Sequence, residues 1–175
     1  MRAFLLVIVS CLTAACAGAP PVRPEGAPSR VVVLAASRVP RPPPQSLTAQ
    51  VSGGEDTRDV VARVGAEALR SRGFEVVAVE TAMGPLPSVE QARELAHLYR
   101  AEATVLLVLT RMDLSALQPL GQANLELEIS LVGADGRVLW SGAHRGATSQ
   151  NLYRARTNWR SHVRQAVIET VRELP

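Results

Sequence analysis

One stretch, Val31-Val32-Val33-Leu34-Ala35-Ala36, is apolar at every position. Two later stretches share this character, Phe74–Val79 with one glutamate and Thr104–Thr110 with threonine at both ends. A strand that is apolar on both faces is typical of a parallel sheet covered on both sides. The three stretches therefore predict three buried, parallel strands.

Helical patterns occupy the two intervals between these strands. Asp56 or Thr57 can cap a first helix that ends before Gly73. The residues at 88–91, Ser-Val-Glu-Gln, resemble a capping box and predict a second helix that runs to about Arg100. Because strand–helix–strand connections are right-handed, we expect both helices on one face of the sheet.

The pattern changes in the last third of the chain. From Leu125 to Leu131, leucine and isoleucine alternate with polar residues, which predicts a strand with one solvent-exposed face. A turn at 133–136, Gly-Ala-Asp-Gly, leads into Arg137–Ser141, the predicted antiparallel partner. Apolar residues spaced by three or four between Trp159 and Leu174 predict a C-terminal amphipathic helix.

Together these elements predict a single α/β domain spanning residues 30–175. Its sheet is mixed, with three parallel strands followed by an antiparallel hairpin, and helices pack on the sheet.

Residues 1–15 resemble a secretory signal peptide. Arg2 is followed by an apolar run, Ala3–Leu12, that is shorter than the roughly 20 residues of a membrane span. Leu12-Thr13-Ala14-Ala15-Cys16 resembles the lipobox of bacterial lipoproteins, although threonine replaces the usual leucine. The resemblance implies cleavage before Cys16 and lipidation there, with diacylglyceryl and palmitate groups. Residues 8–11 also fit the pattern but leave a shorter apolar core, and ordinary secretion with a chance cysteine is the alternative.

Residues 16–29 form the predicted lipidated N-terminus and tether. They are rich in proline, alanine and glycine, which favours an extended chain that reaches about 40 Å. Ala17, rather than an aspartate, follows the lipobox cysteine. We therefore expect a lipid anchor in the outer membrane, with the domain on the periplasmic side.

Composition excludes several functions. Both cysteines, Cys11 and Cys16, lie at or before the predicted cleavage site, so the mature chain has no disulfide and no cysteine metal cluster. The formal net charge is +3 and falls further when Arg2 is removed. With a periplasmic location, this small charge predicts no nucleic-acid partner.

Catalytic motifs are not recognisable in the sequence. The three histidines, His97, His144 and His162, have no partner four residues away that would make a metal pair. Glu126 and Glu128 alternate with leucine, as on a solvated sheet face. There is no Gly-x-Ser-x-Gly or nucleotide-binding motif. We predict no enzyme activity, no metal and no cofactor.

Two groups of residues are candidate binding sites. Ligands of parallel sheets bind beyond the carboxyl ends of the strands. Here that edge should gather four charged residues: Arg38, Glu80, Arg111 and Asp113. The second candidate is a basic patch around the last hairpin and helix, suited to anionic cell-wall polymer. It consists of His144, Arg145, Arg154, Arg156, Arg160 and Arg164.

The chain resembles the group of small envelope lipoproteins that contains the penicillin-binding-protein activator LpoB, the curli-secretion lipoprotein CsgG and the amino-terminal domain of TolB. The resemblance rests on Cys16, the first strand, the passage Ala66–Val76, the hairpin Leu125–Trp140 and the closing helix. It implies a non-enzymatic domain that docks onto another envelope protein or assembles into a complex. The tether is shorter than in LpoB-type proteins, which favours a partner near the outer membrane.

Overall fold

A computed structural model describes residues 26–40, 54–84, 86–149 and 158–175 of this chain. Nine helices and strands follow one another in these residues. In chain order they are β1 (Arg30–Ser37), α1 (Thr57–Ser71), β2 (Glu75–Thr81), α2 (Val89–Leu98), β3 (Ala103–Asp113), α3 (Leu117–Leu120), β4 (Gln122–Gly133), β5 (Val138–Ser149) and α4 (Trp159–Arg172). Within these residues, no helix is long and apolar enough to cross a membrane.

The five strands form one sheet in the order β2-β1-β3-β4-β5. β1 pairs in parallel with β2 on one side and with β3 on the other. β4 is antiparallel to β3, and β5 is antiparallel to β4. The predicted fold class, an α/β domain with a mixed sheet and helices packed on it, is confirmed.

The sheet has a hydrophobic core on each face. The larger core packs α1 and α4 against alternate residues of β1, such as Val31 and Val33. The smaller core packs Ala92 of α2 against Leu34 and Leu106. The two helices of the parallel half thus lie on opposite faces, and the prediction that they share one face was wrong. Because β2 and β3 flank β1 on different sides, the two crossovers run in opposite directions, and right-handedness then reverses the face.

Helix α1 lies unusually close to the sheet at Gly65. A Cβ atom added there would lie 2.2 Å from Cδ1 of Leu107, a fully buried side chain of β3. A glycine mid-helix normally costs stability relative to alanine. Here it allows the close approach of helix and strand.

The helix ends agree with the predicted caps. The side chain of Asp56 accepts a hydrogen bond from the backbone N–H of Arg58 at 3.1 Å. Ser88 accepts one from the N–H of Gln91, also at 3.1 Å. The strand β5 differs most from its prediction, since it continues to Ser149 rather than ending at Ser141.

The first residues of the domain are held by one carboxylate. Oε2 of Glu102 accepts hydrogen bonds from the backbone N–H groups of Ser29 and Arg30, at 2.5 and 3.2 Å. These bonds lower the pKa of Glu102. The carbonyl of Ser29 accepts a bond from the N–H of Glu75. The chain is therefore fixed to both neighbouring strands where β1 begins.

A buried polar pair joins α4 to β5. His162 is fully buried, and its Nδ1 lies 2.7 Å from Oγ1 of Thr148. Oγ1 also lies 3.3 Å from the carbonyl oxygen of Ala123, to which it donates. If the threonine proton goes to that carbonyl, Nδ1 of His162 must carry the proton of the histidine. Nε2 is buried and has no hydrogen-bond partner in the described part of the chain. The site therefore suits a neutral imidazole, and burial lowers the pKa of His162.

Replacement of Gly65 tests the close helix–sheet contact. Gly65→Ala should destabilise the fold by about 1–3 kcal/mol, because the buried Leu107 cannot move aside freely. Helix propensity alone would give the opposite sign. The matched control is Gly146→Ala on β5, where an added Cβ meets nothing within 4 Å and the change should stay within about 0.5 kcal/mol. Urea denaturation measures both, and a Gly65→Ala variant as stable as the parent would contradict the contact.

His162 should make the fold acid-sensitive. Since its folded pKa is lowered, the unfolded chain takes up a proton at a higher pH than the folded chain. Its contribution to stability is complete above the ordinary histidine pKa of about 6.5 and is lost as the pH falls toward the lowered value, by at most about 1.4 kcal/mol per pH unit. His162→Gln should flatten this slope, whereas His97→Gln, at an exposed position of α2, should retain it. Equal slopes in the parent and His162→Gln would refute the assignment.

Candidate binding sites

The four residues of the predicted ligand site, Arg38, Glu80, Arg111 and Asp113, do not all lie at the same height along the strands. Arg38 follows β1 directly, and its N–H donates to the carbonyl of Leu109, so it lies near the end of β3. Glu80 is opposite Leu34, which is opposite Leu106. Arg111 comes five residues after Leu106, about 17 Å further along the strand direction. The register therefore places Arg38 level with Thr110, one residue before Arg111 and three before Asp113, and leaves Glu80 behind.

Two of these residues have local partners. The hydroxyl of Tyr99 on α2 donates a hydrogen bond to Glu80, which raises the pKa of Tyr99. Asp113 accepts a bond at 2.9 Å from the N–H of Ser115, which lowers the pKa of Asp113. Binding of a small ligand at this edge stays a prediction.

The residues of the predicted basic patch lie on two sides of the sheet. Arg160 and Arg164 belong to α4, on the face of the larger core. Arg145 of β5 is opposite Glu126, and strand alternation directs it to the other face, which we call the outer face. His144, one residue earlier on β5, contacts α4 through Glu169 at 3.6 Å. Arg154 and Arg156 lie outside the described residues, as does the predicted lipidation site at Cys16.

A row of three charges crosses the outer face. Glu126 of β4 is flanked by Arg111 of β3 and Arg145 of β5 in the strand register. Nη1 of Arg111 lies 3.5 Å from Oε1 of Glu126, and both side chains are exposed to solvent. We call these three residues the charged row. An open groove of about 230 Å³ borders it, lined in part by Arg111, Glu126 and Asn124.

A second charged group lies between α1 and α4. Nη2 of Arg63 is 3.0 Å from Glu55, Nε of Arg160 is 2.8 Å from Glu55, and Nη2 of Arg164 is 3.2 Å from Glu67. An open groove of about 170 Å³ is lined by the three arginines together with Val60, Val64, Asn158 and Ser161. We call it the α1–α4 groove.

The α1–α4 groove is weakly positive. Burial alone would raise the pKa of Glu55, but hydrogen bonds from Arg160 and Arg63 hold it below its ordinary value. Three guanidinium groups thus stand against two carboxylates, which suits an anionic ligand. The sequence interpretation named two of the arginines and missed Arg63. The four-residue spacing of Arg63 and Glu67 was the available signal for a charged helix face.

No group of three or more potential metal-ligating side chains occurs among the described residues.

No protein-family model matches this chain, and no curated protein matches it by sequence. Several solved structures are similar in fold. A PelC dodecamer from Paraburkholderia phytofirmans is 16% identical over 88% of this chain and 91% of that one, with a TM-score of 0.46. Lipoprotein GNA1162 from Neisseria meningitidis is 13% identical over 84% of this chain and 100% of that one, with a TM-score of 0.42.

The C-terminal domain of LpoB from Escherichia coli is also similar. It is 16% identical over 80% of this chain and 94% of that chain, with a TM-score of 0.33. The match agrees with the resemblance to the LpoB-containing group. At such identities and TM-scores the likeness concerns the path of the chain, and function does not follow from it.

Proposed function

We propose that this chain is a lipoprotein of the cell envelope that is anchored in the outer membrane by a lipid on Cys16. It binds a protein partner and assists envelope assembly or secretion, and it does not catalyse a reaction. The observation that carries the proposal is the outer face of the sheet. Parallel strands are usually covered by helices on both faces, whereas antiparallel strands can leave one face open to solvent. Here α2 packs near Leu34, Leu106 and Val132, and no helix of the described residues packs over the polar part of the antiparallel strands β4 and β5.

The exposed part of the outer face has the features of a surface that binds a protein partner. It combines the charged row with small side chains such as Ala143 and Ala147 of β5. The row carries two arginines for one glutamate. A partner with a carboxylate at its surface would complete it through charge-assisted hydrogen bonds.

The predicted anchor limits where the partner lies. A tether of 14 residues, 16–29, reaches about 40 Å, and a domain of this size adds about 35 Å. The partner then lies at the outer membrane or the outer surface of the cell wall.

Recovery of crosslinked partners from cells tests this function. The parent chain should recover an envelope protein, and Arg111→Glu should reduce the recovery at least about tenfold by reversing the charge at one end of the row. Arg111→Lys should retain most of it. Arg70→Glu, the same charge change at an exposed position of α1, is the control. Recovery of no envelope protein above background from the parent would count against the proposal.

The α1–α4 groove supports a second candidate function, binding of anionic cell-wall polymer. Its excess positive charge and open shape suit phosphate or carboxylate groups. If it binds the polymer, replacing both Arg160 and Arg164 with glutamine should lower co-sedimentation of the chain with isolated peptidoglycan, most clearly at low salt. Unchanged sedimentation would eliminate this candidate.

A further inference from the structure

In the described part of the chain, neither edge strand of the sheet, β2 or β5, pairs with a further strand along its outer side. No residue of β2 is buried, and of the twelve residues of β5 only Thr148 is. The interior strand β1 is buried from Val31 to Ala36 by comparison. About half of the residues in each edge strand direct both backbone N–H and C=O away from the sheet. A proline in the strand or a cover over it would hinder the addition of a further strand, and neither strand contains proline.

The two edges are complementary in charge. The ionisable residues of β2 are Glu75 and Glu80, both acidic. Those of β5 are His144 and Arg145, both basic or potentially so. Glu80 also shares the outer face with Arg145, because it is opposite Leu34 of the smaller core in the strand register. Pairing β5 with β5 of another copy would instead bring like charges together, which is unfavourable.

The direction of the edge strands and an exposed apolar side chain of β2 also favour pairing between β5 and β2. β2, β1, β3 and β5 all run the same way, and only β4 is reversed. A β2 strand added beside β5 of another copy would therefore extend the sheet in parallel. Val79 on β2 is 40% exposed, and its burial would contribute to the contact.

We infer that copies of this chain associate head to tail, with β5 of one copy pairing in parallel with β2 of the next. The contact uses different surfaces on its two sides, so it repeats from copy to copy and produces a ring or a filament. The edge pairing itself does not require the anchor.

Cysteine crosslinking on membranes from cells that produce the full-length chain tests the pairing. The double variant Val79→Cys with Ala143→Cys places one thiol on each edge. A flexible bis-maleimide that spans about 10 Å tolerates a shift of two or three residues in register. We expect a ladder of dimers, trimers and larger species from the double variant and none from either single variant. Val79→Cys with Leu98→Cys, a 70% exposed position on α2, is the control.

Two results would overturn the inference. A double variant without adducts would show that the edges do not meet. Dimers from Ala143→Cys alone would show that β5 pairs with itself.

Charge variants in the double-cysteine background give a second measurement. Arg145→Glu should reduce the ladder at least about tenfold, whereas Arg145→Lys and Arg70→Glu should retain it. A full ladder with Arg145→Glu would also overturn the inference. Treating the parent chain with the same reagent tests the anchor separately from the edge pairing. The thiol of Cys16 reacts with the reagent only if it carries no lipid. Parent crosslinks would therefore count against the anchor and not against the edge pairing.

Discussion

β1 pairs with β2 on one side and with β3 on the other, and the placement of the helices follows from this position between them. The first crossover runs from β1 to β2 and the second runs back from β2, past β1, to β3, so the right-handed connections place α1 and α2 on opposite faces. α4 then returns to the face of α1, where it covers β4 and β5. Among the described residues, α2 is the helix that packs on the outer face, and the polar residues of β4 and β5 on that face have no helix over them. The candidate surface for a partner is thus a consequence of the strand order.

Much of the fold could be predicted from the sequence because its signals are local. The apolar stretch at 31–36 predicted a buried strand, and Asp56 or Thr57 and then Ser88 predicted where the first two long helices start. The order of the parallel strands could not be predicted in this way, since periodicity is the same whichever side of β1 the second strand takes. The wrong assignment of two helices to one face has this origin.

The candidate sites were harder to predict, for reasons visible at particular residues. Residues 142–147 of β5 are mostly small and carry little strand propensity, so the prediction ended the strand at Ser141. Trp140 packs against the larger core, on the side of α4. Arg145 is an odd number of residues further along the same strand, so its side chain points to the opposite face, away from α4. Pairing across helices, as between Arg160 and Glu55, joins residues more than a hundred positions apart and leaves no sequence pattern.

The attachment of Ser29 and Arg30 to Glu102 also has a mechanical consequence. A pull on the N-terminal segment enters the domain at β1, which is bonded on both sides, rather than at an edge strand. The load then runs along the strand and shears the hydrogen bonds to β2 and β3 together, instead of opening them one after another. The domain is therefore built to resist tension from its N-terminus, while the two edge strands carry none of that load directly.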